Sequence, residues 1–443
     1  MSEQNKENNT NSQKVIKINR VLAIVISILM VVVSFFGGYF ANFLSKSKSE
    51  RIIDELINII SQKAYFSTDG QEFDERAFFE FYKEYSGDAY AQYYTAEEYK
   101  EQKKQNAGNY QGIGVLFYSN NKNTIFKVLK NSPAHKAGVL AGDKFVSATL
   151  DNEKTLFTND YGAIDYLGET QTSKAIEFEI ERDGEIIKVS VKKEKYTVSY
   201  VEYYDNGCKL YFEDDENGNI TKKVDYNLGK AEFDDKTAYI SLDQFEGDAS
   251  SQLGKAYKFM VERGKTKLIL DLRNNTGGNM NSLVEIASYL VRNNGNKESV
   301  IAYAKEKDKK TFFTTSKNNS SESIKDIVVL ANQNTASASE CLIGALIHYG
   351  KSDGTCSYDN LVVSKNHLGE AKTYGKGIMQ TTYLLKSGGA FKLTTAKIYW
   401  PDHVTSIHGK GIEVKKDKFG NYTANAVDDQ NAISRAIEIM ASK

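Results

Sequence analysis

A serine, a lysine and a pair of glycines occupy positions where chemistry can be done. In ANQNTASASECLIGAL, residues 331–346, a strand ends and small residues lead into a helix. Ser337-Ala-Ser-Glu340 fits the S-x-x-E capping pattern, in which a serine only satisfies helix N–H groups. The same position puts the Ser337 hydroxyl at a helix start, where partial positive charge and free N–H groups, that of Ala338 among them, stabilise a tetrahedral oxyanion. In TYGKGIMQ, residues 373–380, Lys376 lies between two glycines as a strand begins. A lone lysine in a tight turn is ordinarily solvated. In a pocket its ammonium is disfavoured, its pKa falls, and the neutral amine can take a serine proton. Gln380 is four residues on, shares a strand face with Lys376, and is placed to orient or gate the amine. In DLRNNTGGNMNS, residues 271–282, a buried strand ends at Arg273, and Gly277 and Gly278 precede a helix. Such glycines let backbone approach a ligand and point N–H groups at an anion, although an ordinary strand-to-helix turn also uses them.

These residues need rigid elements to meet. From about 196 onward strand and helix alternate. TKLILDLR and IKDIVVLAN read as strands, and MNSLVEIASYLVRN, SASECLIGALIHYG and part of LDQFEGDASSQLGKAYKFMVERG as helices. A hairpin, GIMQTTYLLKSGGAFKLTTAKIYW, turns at Ser387-Gly388-Gly389. The expected core at 196–443 is therefore α/β layers on a mostly parallel sheet, plus a β-hairpin. Residues 350–373 read as a long polar loop. Residues 108–195 are β-rich, with a short helix at 159–168 and a hairpin turning at Asp183-Gly184. Residues 50–105 read as helical: Ile52, Ile53, Leu56, Ile59 and Ile60 share one face, and Phe78, Phe79, Phe81 and Tyr82 repeat the pattern. That region is a helical cap or a dimerisation arm.

The run VLAIVISILMVVVSFFGGYFANFL, residues 21–44, carries no charge. At about 1.5 Å per residue it spans a hydrocarbon core of about 30 Å. A cleaved signal peptide is the other reading, but the run is long for one and no A-x-A site follows it. Residues 1–20 then form a polar cytoplasmic tail, 21–44 an anchor, and the bulk lies outside the cytoplasm. Formal net charge is −1 over 443 residues, with no long basic stripe, which argues against nucleic acid as a partner. Cys208, Cys341 and Cys356 form no CxxC pair and the five histidines show no metal spacing, so neither metal nor other cofactor is expected.

Taken together, DLRNNTGG, NQNTASASE and TYGKGIMQ, in that order, resemble family S41, the C-terminal processing or tail-specific serine peptidases. The later LTTAKIYWPDHVTSIHGKGI is similar to the family's strand, Pro-containing turn and IxGxGI ending. The resemblance implies Ser337 as nucleophile, Lys376 as base, Gln380 beside it, and an oxyanion site from Ala338 with Gly277 or Gly278. It also implies that YQGIGV followed by NSPAHKAGVLAGDKF, within 108–195, is an inserted PDZ domain. Gly112, Ile113, Gly114 and Val115 would form its carboxylate-binding loop, with Ile164 and Leu167 lining the side-chain groove. Two departures stand out: Thr335 replaces the first serine of the family's SASASE run, and Ser337 and Lys376 lie 39 residues apart, longer than usual. Glu413-Val414 also stands where the family often has Pro-Asp.

The function expected is a single-pass serine endopeptidase of a bacterial cell membrane, cleaving extracytoplasmic proteins with apolar C-terminal tails, with a homodimer possible. A catalytically silent PDZ scaffold at the membrane is the alternative. A Ser–His enzyme would need His348, within the helix after the nucleophile, or His367, in the unusual loop.

Overall fold

Leu268-Ile269-Leu270 has no polar side to show to water, and it forms a fully buried strand at the centre of the molecule. Short apolar runs bounded by turns are how strands covered on both faces read in sequence. The computed structural model describes Ser47, Ile52, Glu55 and residues 75–442, except 119–120, 218, 227–232 and 293–297. The expected tail, the apolar span at 21–44 and Ile53, Leu56, Ile59 and Ile60 lie outside the described residues. Arg76–Lys443 forms one compact unit.

The described chain begins with α1 (Glu75–Ser86), β1 (Gln92–Tyr94) and α2 (Ala96–Asn106). The expected helical stretch is thus broken by a strand. Thr95 sets the start of α2: its hydroxyl accepts from the Glu98 N–H at 3.2 Å, and Glu98 accepts the Thr95 N–H at 2.8 Å. An insert follows: β2 (Asn109–Gly112), β3 (Val115–Tyr118), β4 (Asn121–Val128), α3 (Pro133–Lys136), β5 (Lys144–Leu150), β6 (Glu153–Leu156), α4 (Ala163–Glu169), β7 (Ala175–Arg182), β8 (Glu185–Lys192) and β9 (Glu194–Thr197). β2 and β9 pair antiparallel, Asn109 opposite Thr197, so the chain enters and leaves the insert at one neck. Between them β3-β4-β5-β7-β8 form a sheet, with β6 on β5, around a core of its own that includes Ile125, Phe145, Phe178 and Ile180. Asp183 and Gly184 both take left-handed φ (51° and 82°), the two-residue turn that matches strand twist.

The remaining elements are β10 (Val201–Asp205), β11 (Cys208–Asp214), β12 (Ile220–Asp225), β13 (Thr237–Leu242), α5 (Ala249–Glu262), β14 (Lys267–Asp271), α6 (Met280–Leu290), β15 (Val300–Glu306), β16 (Lys310–Thr314), β17 (Asp326–Ala331), α7 (Ala338–Asp353), β18 (Leu361–Ser364), β19 (Ile378–Leu384), β20 (Ala390–Tyr399), β21 (Ala426–Val427) and α8 (Ala432–Ala441). The main sheet runs β12-β11-β10-β13-β14-β17-β18-β21. Its second half is parallel, as expected, and β10–β12 add an antiparallel meander, so the sheet as a whole is mixed. β10 and β11 alternate buried and half-buried residues, because only one of their faces is fully covered. In the parallel half, Leu268 and Leu270 join the core with Leu253 of α5, Leu283 of α6 and Leu342 of α7. Ile269 points the other way, into a core shared with Ala432, Ala436 and Met440 of α8.

The stretch 350–373 is not the surface loop its composition predicts. α7 continues to Asp353, Cys356 is buried, and Leu361–Ser364 forms the fully buried strand β18 between β17 and β21. Four residues carry too little periodicity to stand out from polar flanks. A second sheet, β1-β20-β15-β16 with β19 also on β20, carries the expected hairpin, with Leu384 opposite Ala390.

Candidate active site

The turn from β17 into α7 puts Ser337 at φ 58° and ψ −116°, a conformation that costs a non-glycine residue about 1–3 kcal/mol. The surroundings hold it there. The Ala336 N–H donates to Asn275 O at 3.0 Å and the Ser339 hydroxyl to the same oxygen at 3.0 Å. The Thr335 hydroxyl donates to Leu272 O at 2.8 Å and accepts the Asn332 N–H at 2.9 Å, so the hydroxyl is what this position needs and threonine supplies it as serine would. Asn274 Oδ1 accepts from the side chains of Asn332 and Asn334, both at 2.9 Å. The two turns, DLRNNTGG and NQNTASAS, are thus laced into one body.

Only half of the expected capping box forms. Glu340 accepts the Ser337 N–H at 2.8 Å, but the Ser337 hydroxyl makes no cap bond and stays available. Glu340 does more than cap. Its side chain is fully buried, and Oε2 also accepts the Lys376 N–H at 3.0 Å. Oε1 accepts the Gly375 N–H at 2.8 Å and the Thr373 hydroxyl. One carboxylate therefore ties the serine turn to the lysine segment. Burial pushes the Glu340 carboxyl up, and the donors around it oppose that shift.

The glycines beside Lys376 are explained by backbone crowding. A Cβ on Gly375 would lie 2.7 Å from Gly411 N, and one on Gly377 would lie 2.6 Å from His408 N. The IHGKGI segment packs there, and the Gly409 N–H donates to Gly375 O at 2.8 Å.

Ser337, Lys376, Gln380, Gly278, Glu246 and Lys392 line one cleft of about 590 Å³. Burial first, then the charge of Lys392, holds the Lys376 ammonium below its usual pKa. Its Nζ lies 5.0 Å from the centroid of the Tyr90 ring. Gln380 reaches the cleft but does not orient the amine. A β-bulge between Met379 and Gln380 breaks the two-residue alternation, and the Gln380 amide donates to the Thr394 hydroxyl at 3.2 Å. Among the oxyanion candidates, the Gly277 N–H is committed to Asn275 Oδ1 at 2.9 Å. Gly277 acts by closeness instead: a Cβ there would lie 2.8 Å from Ser337 Cβ. Gly278 and Ala338 are the candidates whose N–H groups are not so committed. Cys341 also lines the cleft, but burial pushes its thiol up to about 12. No histidine is among the described residues lining the cleft: His348 sits within α7 and His367 is exposed beyond β18.

In the insert, Gly112 (φ 141°) ends β2 and Gly114 (φ 85°) packs so close to Ser132 that a Cβ would lie 2.1 Å from its Cβ. Ile113 is buried, and its carbonyl accepts the Ala134 N–H at 2.8 Å. Val115 opens β3, an edge strand paired only with β4. On α4, Ile164 is exposed and Leu167 packs on the insert's core.

Sequence reasoning read Glu340 only as a cap. Tyr90, Glu246 and Lys392 gave no local signal, because their neighbours in the cleft come from distant segments. Burial raises the Glu246 carboxyl to about 7, opposed by Lys392.

The chain is similar to known peptidases. The profile of Peptidase family S41 matches residues 236–415, which contain Ser337, Glu340 and Lys376. The probable CtpA-like serine protease of Staphylococcus aureus (strain COL) is 27% identical over 423 residues, covering 92% of this chain and 75% of that protein. Its counterpart in Staphylococcus saprophyticus is 26% identical over 366 residues, covering 82% and 64%. A solved photosystem II D1 C-terminal processing protease, 19% identical, aligns over 82% of this chain and 85% of its own with a TM-score of 0.49. With the family profile lying across the site and the relatives spanning most of the chain, the S41 peptidases are what this chain resembles, and the comparisons support a serine-type peptidase.

Proposed function

We propose that the chain is an endopeptidase that cleaves proteins near or from their C-termini through a Ser337–Lys376 dyad. The observation that carries this reading is the shared carboxylate oxygen: Glu340 Oε2 accepts the N–H groups of both Ser337 and Lys376, at 2.8 and 3.0 Å. Neutral Lys376 takes the Ser337 proton as Oγ attacks the scissile carbonyl. The oxyanion is held by the Ala338 N–H and that of Gly278. The C–N bond breaks as the Lys376 ammonium protonates the leaving amine. Water, deprotonated by Lys376, then releases the acyl group as a carboxylate and restores the hydroxyl.

The insert acts in this reading as a PDZ-type tail receptor. In support, among the described residues β3 has a free edge for strand addition, and no hydrogen bond engages the N–H groups of Ile113 and Gly114 beside it. The tail carboxylate meets these groups, and apolar side chains meet Ile164 and Leu167. The segment 21–44 anchors the enzyme, so its substrates lie outside the cytoplasm.

The test uses a peptide with an apolar C-terminus and mass analysis of products. Ser337→Ala and Lys376→Ala should each abolish cleavage while circular dichroism stays unchanged; a fully active Lys376→Ala protein refutes the dyad. A second reading, a silent tail-binding scaffold, is favoured by one feature: the Lys376 amine sits over Tyr90 with no hydrogen bond to the Ser337 hydroxyl. Peptide binding without products supports it.

A further inference from the structure

We infer that Asp88 and Tyr90, in the turn between α1 and β1, are positioning residues for Lys376. The Tyr90 ring holds the lysine ammonium at a station beside Ser337, and Asp88 fixes that turn to the cleft wall. The inference rests on the serine peptidase reading of the site.

Two independent sets of contacts carry it. The first is the Lys376 Nζ over the Tyr90 ring, 5.0 Å from its centroid. A ring face attracts a cation, so it favours the ammonium over the amine. The second is a hydrogen-bond chain that locks the turn. Asp88 accepts the Thr394 N–H at 2.9 Å and the Thr394 hydroxyl at 2.9 Å. That hydroxyl in turn accepts from the Gln380 amide at 3.2 Å, and Asp88 also accepts the Tyr90 N–H at 3.1 Å. Behind the turn, Ala91 is buried and Phe79 of α1 stacks on Phe391 of β20, ring centroids 5.4 Å apart. The segment preceding α2 is thereby joined to both walls that carry Lys376 and Gln380. This also gives Gln380 a use that its sequence position does not show: its amide braces the turn.

The titratable groups around Lys376 come from several elements. Tyr90 lies under its Nζ, Glu340 of α7 holds its backbone N–H, Tyr374 is on its own segment, and Lys392 of β20, Glu246 before α5 and Lys103 of α2 line the same cleft. Lys392 repels the ammonium, and Tyr90 is itself held neutral, pushed up to about 12 by burial and by Tyr374. The ring is therefore a neutral surface for the cation rather than a rival acid or base. On substrate binding the amine leaves the ring for the Ser337 hydroxyl.

The test measures how fast a fluorophosphonate labels Ser337 in the full-length chain as pH is varied, which needs no knowledge of the substrate. The wild-type rate should rise along one acidic limb. Tyr90→Leu should move that limb about half a unit to lower pH, because the ring no longer favours the ammonium, and should lower the plateau about tenfold or more. Tyr90→Phe, which keeps a ring, should restore the wild-type limb. Asp88→Ala, which frees the turn without touching the ring, should shift the limb in the same direction as Tyr90→Leu. In the unmutated protein the ring should also displace the Lys376 side-chain NMR resonances upfield. A limb that stays in place in folded Tyr90→Leu or Asp88→Ala protein, or unshifted Lys376 resonances, overturns the inference while leaving the peptidase reading intact. A wild-type chain that is not labelled at Ser337 overturns both.

Discussion

Glu340→Gln replaces one carboxylate oxygen with an NH2 group and leaves side-chain volume unchanged. Each oxygen of Glu340 accepts two bonds: Ser337 N–H and Lys376 N–H on one, Gly375 N–H and the Thr373 hydroxyl on the other. If the NH2 faces Ser337 and Lys376, two acceptances become donor-to-donor contacts in a fully buried place; if it faces Gly375 and Thr373, the Gly375 N–H meets a donor while the Thr373 hydroxyl can turn to accept, and either way the remaining bonds lose a charged acceptor. A bond to a charged acceptor contributes about 1.5–3 kcal/mol, so the change removes about 3–6 kcal/mol of local tie. Total stability of about 5–15 kcal/mol lets the fold survive while the serine turn and lysine segment part. At about 1.4 kcal/mol per factor of ten, kcat should fall about a hundredfold or more. Glu340 is not among the residues lining the cleft, so KM should change little. The assay is steady-state cleavage of a tail peptide with a parallel urea melt. Folded Glu340→Gln protein with kcat within about twofold of wild type would refute the reasoning that one carboxylate assembles the site.

Other consequences follow from close contacts and titration. Gly277→Ala puts a Cβ 2.8 Å from Ala336 O and from Ser337 Cβ at a φ of 98°, so Ser337 labelling by a fluorophosphonate should be lost and the urea midpoint should fall as well. Gly344→Ala puts a Cβ 2.4 Å from the Trp400 ring, and should lower stability in urea by about 1–3 kcal/mol. Glu246, raised to about 7, gains its charge as pH passes neutrality, next to Gly278. That charge opposes an oxyanion, so Glu246→Gln should raise kcat/KM above pH 7 relative to wild type and leave the acidic side unchanged; parallel pH–rate curves would contradict this. Ser337→Ala and Lys376→Ala should abolish cleavage, as product analysis would show.

What the sequence displayed was mostly local. The turns at Asp183-Gly184 and around Gly388 were legible because left-handed backbone favours such residues, and α5, α6 and α7 because their apolar periodicity is long. The small-residue run before α7 and the glycines around Lys376 were legible as motifs. What was hidden depends on tertiary partners. The strand Leu361–Ser364 is four residues whose burial is decided by β17 and β21, not by its own pattern. The bulge at Met379/Gln380 turned a same-face prediction into a brace for another turn. The Gly277 N–H was diverted by Asn275, two residues away, through a side-chain bond that composition does not announce. Glu340 was visible, but only as a cap, because its other donors lie in a segment far along the chain.

The central claim is that an uncharged Lys376 amine activates the Ser337 hydroxyl, and pH-resolved fluorophosphonate labelling of wild-type and Lys376→Ala protein tests it most directly. Wild type should label at Ser337 with a limb below the ordinary lysine range, as burial and Lys392 require, and Lys376→Ala should label slowly and without that limb. A folded Lys376→Ala protein that labels at the wild-type rate across the pH range would contradict the account.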